Sequence, residues 1–95
     1  MIAVRTIDGD DDPLRFEVVV TEGEGATRHH VTMSLATFDA IAGGGATQER
    51  CVEAAFRFLL DREPKEAILK RFDLAVISSY FPEFSSEFPR YISSR

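Results

Sequence analysis

Leu14, Phe16, Val18 and Val20 recur at every second position, with Arg15, Glu17, Val19 and Thr21 between them. That is the spacing of a strand with one face on a core. Ile2, Val4 and Thr6 alternate in the same way with Ala3, Arg5 and Ile7, and His29, Val31 and Met33 alternate with His30, Thr32 and Ser34. Between these runs lie two turn clusters, residues 8–13 and Glu22-Gly23-Glu24-Gly25, whose glycines, aspartates and proline suit tight reversals. The short connections predict a three-stranded antiparallel meander over residues 1–34.

At Ser34 the period changes from two to nearly four. Ser34 is placed to cap a helix over residues 35–42 that buries Leu35, Phe38 and Ile41 and ends at Gly43-Gly44-Gly45, because glycine takes the left-handed exit without steric cost. Thr47 caps a second helix, residues 48–61. Its stripe is Cys51, Val52, Ala55, Phe56, Leu59 and Leu60, and Arg50, Glu53, Arg57 and Asp61 share the wet side. Glu63-Pro64 restarts the chain, and Ile68 and Phe72, four apart, predict a third helix over residues 65–72 with a Glu66–Lys70 pair. Asp73 caps a short fourth helix running to Tyr80. The result is an α+β domain, a three-stranded antiparallel meander followed by three to four short helices on one face.

Composition narrows the class. With 95 residues there is room for one domain, divided into the meander (1–34), a helical part (35–80) and an aromatic tail (81–95). Apolar residues at 44% and charged residues at 28% fit a folding chain and exclude disordered, collagen-like and coiled-coil readings. Uncharged runs such as residues 74–82 are far too short to span a bilayer, and no signal-like series opens the chain, so a cytoplasmic location without membrane contact is expected. A single cysteine, Cys51, cannot form an internal disulfide, which agrees with a reducing compartment. The net charge of −5 lies entirely in residues 1–26, where seven acids face Arg5 and Arg15. An acidic chain is repelled by polyphosphate, so nucleic acid is not the expected partner.

Two resemblances enter here. The series Phe58-Leu59-Leu60-Asp61-Arg62-Glu63-Pro64-Lys65, Ile68-Leu69, Phe72-Asp73-Leu74, Val76-Ile77 and Tyr80-Phe81-Pro82-Glu83-Phe84 resembles a group of small bacterial proteins without an assigned activity. That likeness covers residues 51–84 and implies a bacterial source and no chemistry. More loosely, the order of strand, helix, glycine turn and longer helix over residues 28–61 is similar to the ribbon-helix-helix family of dimeric DNA-binding regulators and antitoxins. In that family the strand pairs with its mate and reads the major groove, which would give the reading role to His30, Thr32 and Ser34. The first helix here is about two turns shorter than that family uses. The outward residues also lack the side chains that make bidentate base contacts.

Four local patterns suggest chemistry. Asp8, Asp10 and Asp12 have the first spacings of a calcium loop, but Pro13 and Val19 stand where it needs glycine and glutamate, so a solvated turn is the better account. His29 and His30, adjacent on a strand, point to opposite faces and cannot grip one metal. Cys51, near a helix start, could become a thiolate with a histidine base, yet it lies on the apolar stripe and reads as a small core residue. Gly43-Gly44-Gly45-Ala46-Thr47 precedes a helix as phosphate loops do, without the lysine such loops require. No catalytic, metal or cofactor residues are therefore assigned, and the chain is expected not to be an enzyme.

Tyr80, Phe81, Phe84, Phe88 and Tyr91 are half of the ten aromatics and fall in the last sixteen residues. So much ring area must be covered, by the chain's own core, by a second copy or by a partner. The function this supports is a small non-enzymatic protein–protein interaction module, a candidate homodimer. Its contacts are assigned to Arg50 and Arg57 of the second helix and to Tyr80, Phe81, Phe84, Phe88 and Tyr91. A ribbon-helix-helix regulator is the alternative.

Overall fold

The computed structural model describes residues 1–8 and 10–93. Three strands form where alternation was strongest: β1 (Ile2–Asp8), β2 (Leu14–Thr21) and β3 (Ala26–Met33). Each pairs antiparallel with the next, Val18 lying opposite both Val4 and His29, and β1 carries a register irregularity between Thr6 and Asp8. Helix α1 (Leu35–Ile41) begins where the Ser34 hydroxyl accepts from the Thr37 N–H, and α2 (Gln48–Leu60) where the Thr47 hydroxyl accepts from the Arg50 N–H. Gly43, at φ +66, turns the chain out of α1. Leu35, expected inside, is 41% exposed, while Phe38 and Ile41 are half-buried.

Two expectations are corrected. The sheet has four strands and is mixed, because β4 (Arg71–Asp73) pairs parallel to β3 in the order β1-β2-β3-β4. The third helix expected over residues 65–72 does not form. Lys65–Ala67 is one 3-10 turn, and the chain then runs extended into β4. The reason lies on the outer edge of β3. The His30 N–H donates to the Lys70 carbonyl at 2.7 Å, and the buried His29 ring donates from Nδ1 to the Leu69 carbonyl at 2.7 Å while Nε2 meets the Thr27 hydroxyl at 2.9 Å. These bonds capture the segment as a strand and satisfy groups that a helix would leave unpaired. Lys65 pairs with Glu66 at 2.8 Å, so the expected Glu66–Lys70 helix pair is replaced.

After a 3-10 turn, Leu74–Val76, capped by the Asp73 carboxylate accepting from the Ala75 N–H, come α3 (Ile77–Tyr80) and α4 (Phe84–Ser93). α4 contains Pro89, whose missing N–H frees the carbonyl of Ser85; both residues are exposed, so water can satisfy it. The helices lie on one side of the sheet in two layers. α2 is buried on two faces: Cys51, Val52, Ala55, Phe56 and Leu59 at one helical spacing, and Ala54 and Phe58 at another. The His29 ring packs at a tilt against Phe56, and Phe56 against Phe72, at centroid distances of 5.3 and 5.9 Å, joining α2 to the inner face of the sheet. The second face of α2 carries α4.

Candidate functional site

The two faces of α2 decide what the C-terminal aromatics do. Phe58 lies edge-on to Phe81, Phe84 and Tyr91, with centroids 5.9, 5.0 and 5.6 Å away, and the Arg62 guanidinium lies 3.7 Å over its ring. Phe84 and Phe88 are buried, Phe81 and Tyr91 half-buried. Arg57 Nη2 donates to the Tyr91 carbonyl at 2.7 Å and Arg50 Nη2 to the Ile92 carbonyl at 3.1 Å. Carbonyls in the last turn of a helix have no partner within the helix, and a cation there is also attracted by the negative end of the helix dipole. Arg62 completes the clamp, donating to Glu83 at 3.0 Å and to the Tyr91 hydroxyl at 3.3 Å, while Tyr91 donates to Asp61. The Tyr91 hydroxyl, then Glu83, push the Arg62 guanidinium above its ordinary pKa.

The residues assigned to partner contact therefore separate. Arg50 and Arg57, expected on a wet face, hold α4 instead, and Phe84 and Phe88 belong to the chain's own core. Tyr80 stands apart, 67% exposed. His30 sits half-buried on the open face of the sheet in a cross-strand row, Arg5-Glu17-His30-Arg71. Glu17 bridges Arg5 and Arg28 at 2.9 and 2.8 Å, and these bonds, Arg28's first, hold its carboxyl below the ordinary glutamate value. Thr32 donates to Asp73 at 2.6 Å and Ser34 caps α1. β3 is paired on both edges, which leaves it no edge for a second chain.

Cys51 is fully buried, and that burial pushes its thiol up to about 11, far from nucleophilic at neutral pH. The Asp8 carboxylate accepts from the N–H groups of Asp10 and Asp11, closing the acidic turn on itself and lowering its pKa. Among the described residues no group of three metal-ligating side chains converges. Among them also, no helix is long and apolar enough to cross a membrane.

A concavity remains where the chain leaves α2 and returns through β4 and α3. Leu59, Ile68 and Ile77, all buried, form its floor, and Phe72, Val76 and Phe81 form its sides. Leu69, 47% exposed, and Tyr80 stand on its rim, and Glu63 is the one carboxylic acid that lines it. Its volume is about 340 Å3, at the lower end of the range for clefts that hold a ligand. Of two wider and more polar depressions, one at Gly43, Gly45, Thr47 and Arg50 is lined mainly by small groups, and the other sets Glu22, Glu53, Arg57 and Asp61 among Met1, Ile2, Leu60 and Tyr91. The large apolar side chains well exposed among the described residues are Met1, Ile7, Leu35, Leu69 and Tyr80, and the last two flank this groove.

Alternation in the sequence gave no sign of the groove, because its residues come from the segment expected to be a helix. Adjacent Ile68 and Leu69 gave no signal either, since neighbouring apolar residues also share the buried stripe of α2, as Cys51 and Val52 do. No family model, no curated protein and no solved structure matches the chain.

Proposed function

We propose that the protein is a small protein–protein interaction module whose contact surface is the groove between β4 and α3. One observation carries the reading: an apolar concavity is flanked by two exposed large apolar side chains, Leu69 and Tyr80. Exposed apolar area of this kind is what interfaces cover. The aromatics of α4 support the reading by their place in the core, since burial in cis removes them from competition for the role. Cys51, the one candidate nucleophile, supports a non-enzymatic role by its raised pKa.

The test compares the immobilised wild type with Leu69→Asp, which places a charge on the rim without touching the Leu69 carbonyl that holds β4. Equal melting temperatures establish that both are folded. The wild type retains partners, a further copy of the chain included, that the variant loses; identical retention by both removes the groove from the account. The regulator alternative, with His30, Thr32 and Ser34 as reading residues, predicts binding to mixed DNA at low salt that falls steeply as salt rises.

A further inference from the structure

We propose that the occupant of this groove is a second copy of the chain, joined through a two-fold antiparallel pairing of β4 with β4 centred on Phe72; the inference rests on the interaction reading above and names the partner.

β4 is the outer strand of the sheet, paired on one side only. Because the His30 N–H bonds to the Lys70 carbonyl in the parallel ladder, the backbone groups of Phe72 turn toward β3, and those of Arg71 and Asp73 turn outward at the strand's period of two. An antiparallel partner exchanges both bonds at its hydrogen-bonded positions. A two-fold axis at Phe72 places Arg71 of one copy at such a position against Asp73 of the other, twice. The outward donors and acceptors of each edge then satisfy those of its mate.

The side chains repeat the match. On the open face, Arg71 and Asp73 point the same way as their neighbours His30 and Thr32 in the cross-strand rows. The axis brings the Arg71 guanidinium beside the Asp73 carboxylate of the other copy, again twice, and opposite charges directly across a strand pair attract. On the inner face Phe72, which lines the groove, meets its counterpart. The sheet becomes continuous across eight strands, and the open edge, a hazard when left exposed, is closed. A strand of three residues gives a small seam, which places the complex among weak, transient interfaces.

Charge exchange tests this on the full chain. Arg71→Glu sets Glu against Asp73 at both contacts, and Asp73→Lys sets Lys against Arg71 at both. Circular dichroism of each variant confirms the fold, since Asp73 also caps the turn at Ala75. Sedimentation velocity should show wild type dimerising up to about 1 mM, each variant alone weakened about tenfold or more, and an equimolar mixture of the two restored to near wild-type affinity, because in the mixed pair every contact again joins opposite charges. A wild type that stays monomeric overturns the proposal. So does a dimer indifferent to both substitutions, or a mixture that fails to recover. If the wild type is monomeric but retains other proteins through Leu69, the groove belongs to a different partner; if it also retains nothing, the interaction reading fails with it.

Discussion

Replacing Phe58 with alanine removes the side chain on which the second layer of the protein rests. Its ring is fully buried, touches Phe81, Phe84 and Tyr91, and lies under the Arg62 guanidinium. A buried phenylalanine truncated to alanine costs about 3–5 kcal/mol in lost burial and cavity. Aromatic pairs are worth about 0.5–1.5 kcal/mol beyond area and overlap with that figure. We place Phe58→Ala near 4 kcal/mol, against a total of about 5–14 kcal/mol for a chain this long. At about 4–8 °C per kcal/mol the melting temperature falls by at least about 15 °C. Urea unfolding followed by circular dichroism measures the loss, and hydrogen exchange should show α4 losing protection before the sheet. A double-mutant cycle with Arg62→Ala isolates the cation–ring contact, expected at about 0.5–1 kcal/mol for a partly exposed guanidinium. A loss below about 1 kcal/mol for Phe58→Ala, or unchanged protection in α4, would refute the two-layer account.

Three further outcomes follow from the same structure. Cys51, buried and with its thiol pushed up to about 11, should resist a thiol reagent at pH 8 until the chain unfolds; labelling within seconds under native conditions would contradict its place in the core. Glu17 is held below the ordinary value of 4.5 by Arg28 and Arg5, so its ion pairs stabilise the fold above that value and are lost as pH falls through the lower folded-state value. Glu17→Gln should therefore be less stable than wild type at pH 7, with the two urea midpoints converging as the pH is taken below 4.5; a constant difference down to pH 2 would contradict this. His29→Ala should cost about 2–4 kcal/mol, because it leaves the Leu69 carbonyl without its donor and opens space beside Phe56, and the loss should appear first as amide exchange in β4; a change under about 0.5 kcal/mol would show that His29 does not hold that strand.

Much of this architecture was legible because period-two patterning is a strong signal when one face is buried. β1 and β2 begin at Ile2 and Leu14, where their alternating runs open, while β3 begins at Ala26, ahead of the run that opens at His29. Caps at Ser34 and Thr47 were equally readable, being short-range chemistry. β4 was not. Three residues carry no measurable alternation, Ile68 and Phe72 have helical spacing, and what decides the matter is a long-range demand, the donors of His29 and His30. The open edge and the groove inherit that illegibility, since both exist only because residues 65–73 leave the helical path. The roles of Arg50 and Arg57 were hidden for a related reason. A helix with Ala54 and Phe58 on its back has a second buried face, and arginines beside that face reach α4's carbonyls rather than water.

The central claim is that the rings of α4 are enclosed by the chain itself and that contact with other molecules occurs at the groove. Photo-crosslinking decides it most directly: a benzoylphenylalanine replaces Tyr80 in one variant and the exposed Arg90 of α4 in another, and both are irradiated under native conditions. The account predicts adducts from position 80 and none from position 90. Any adduct from position 90, or none from position 80, would contradict it.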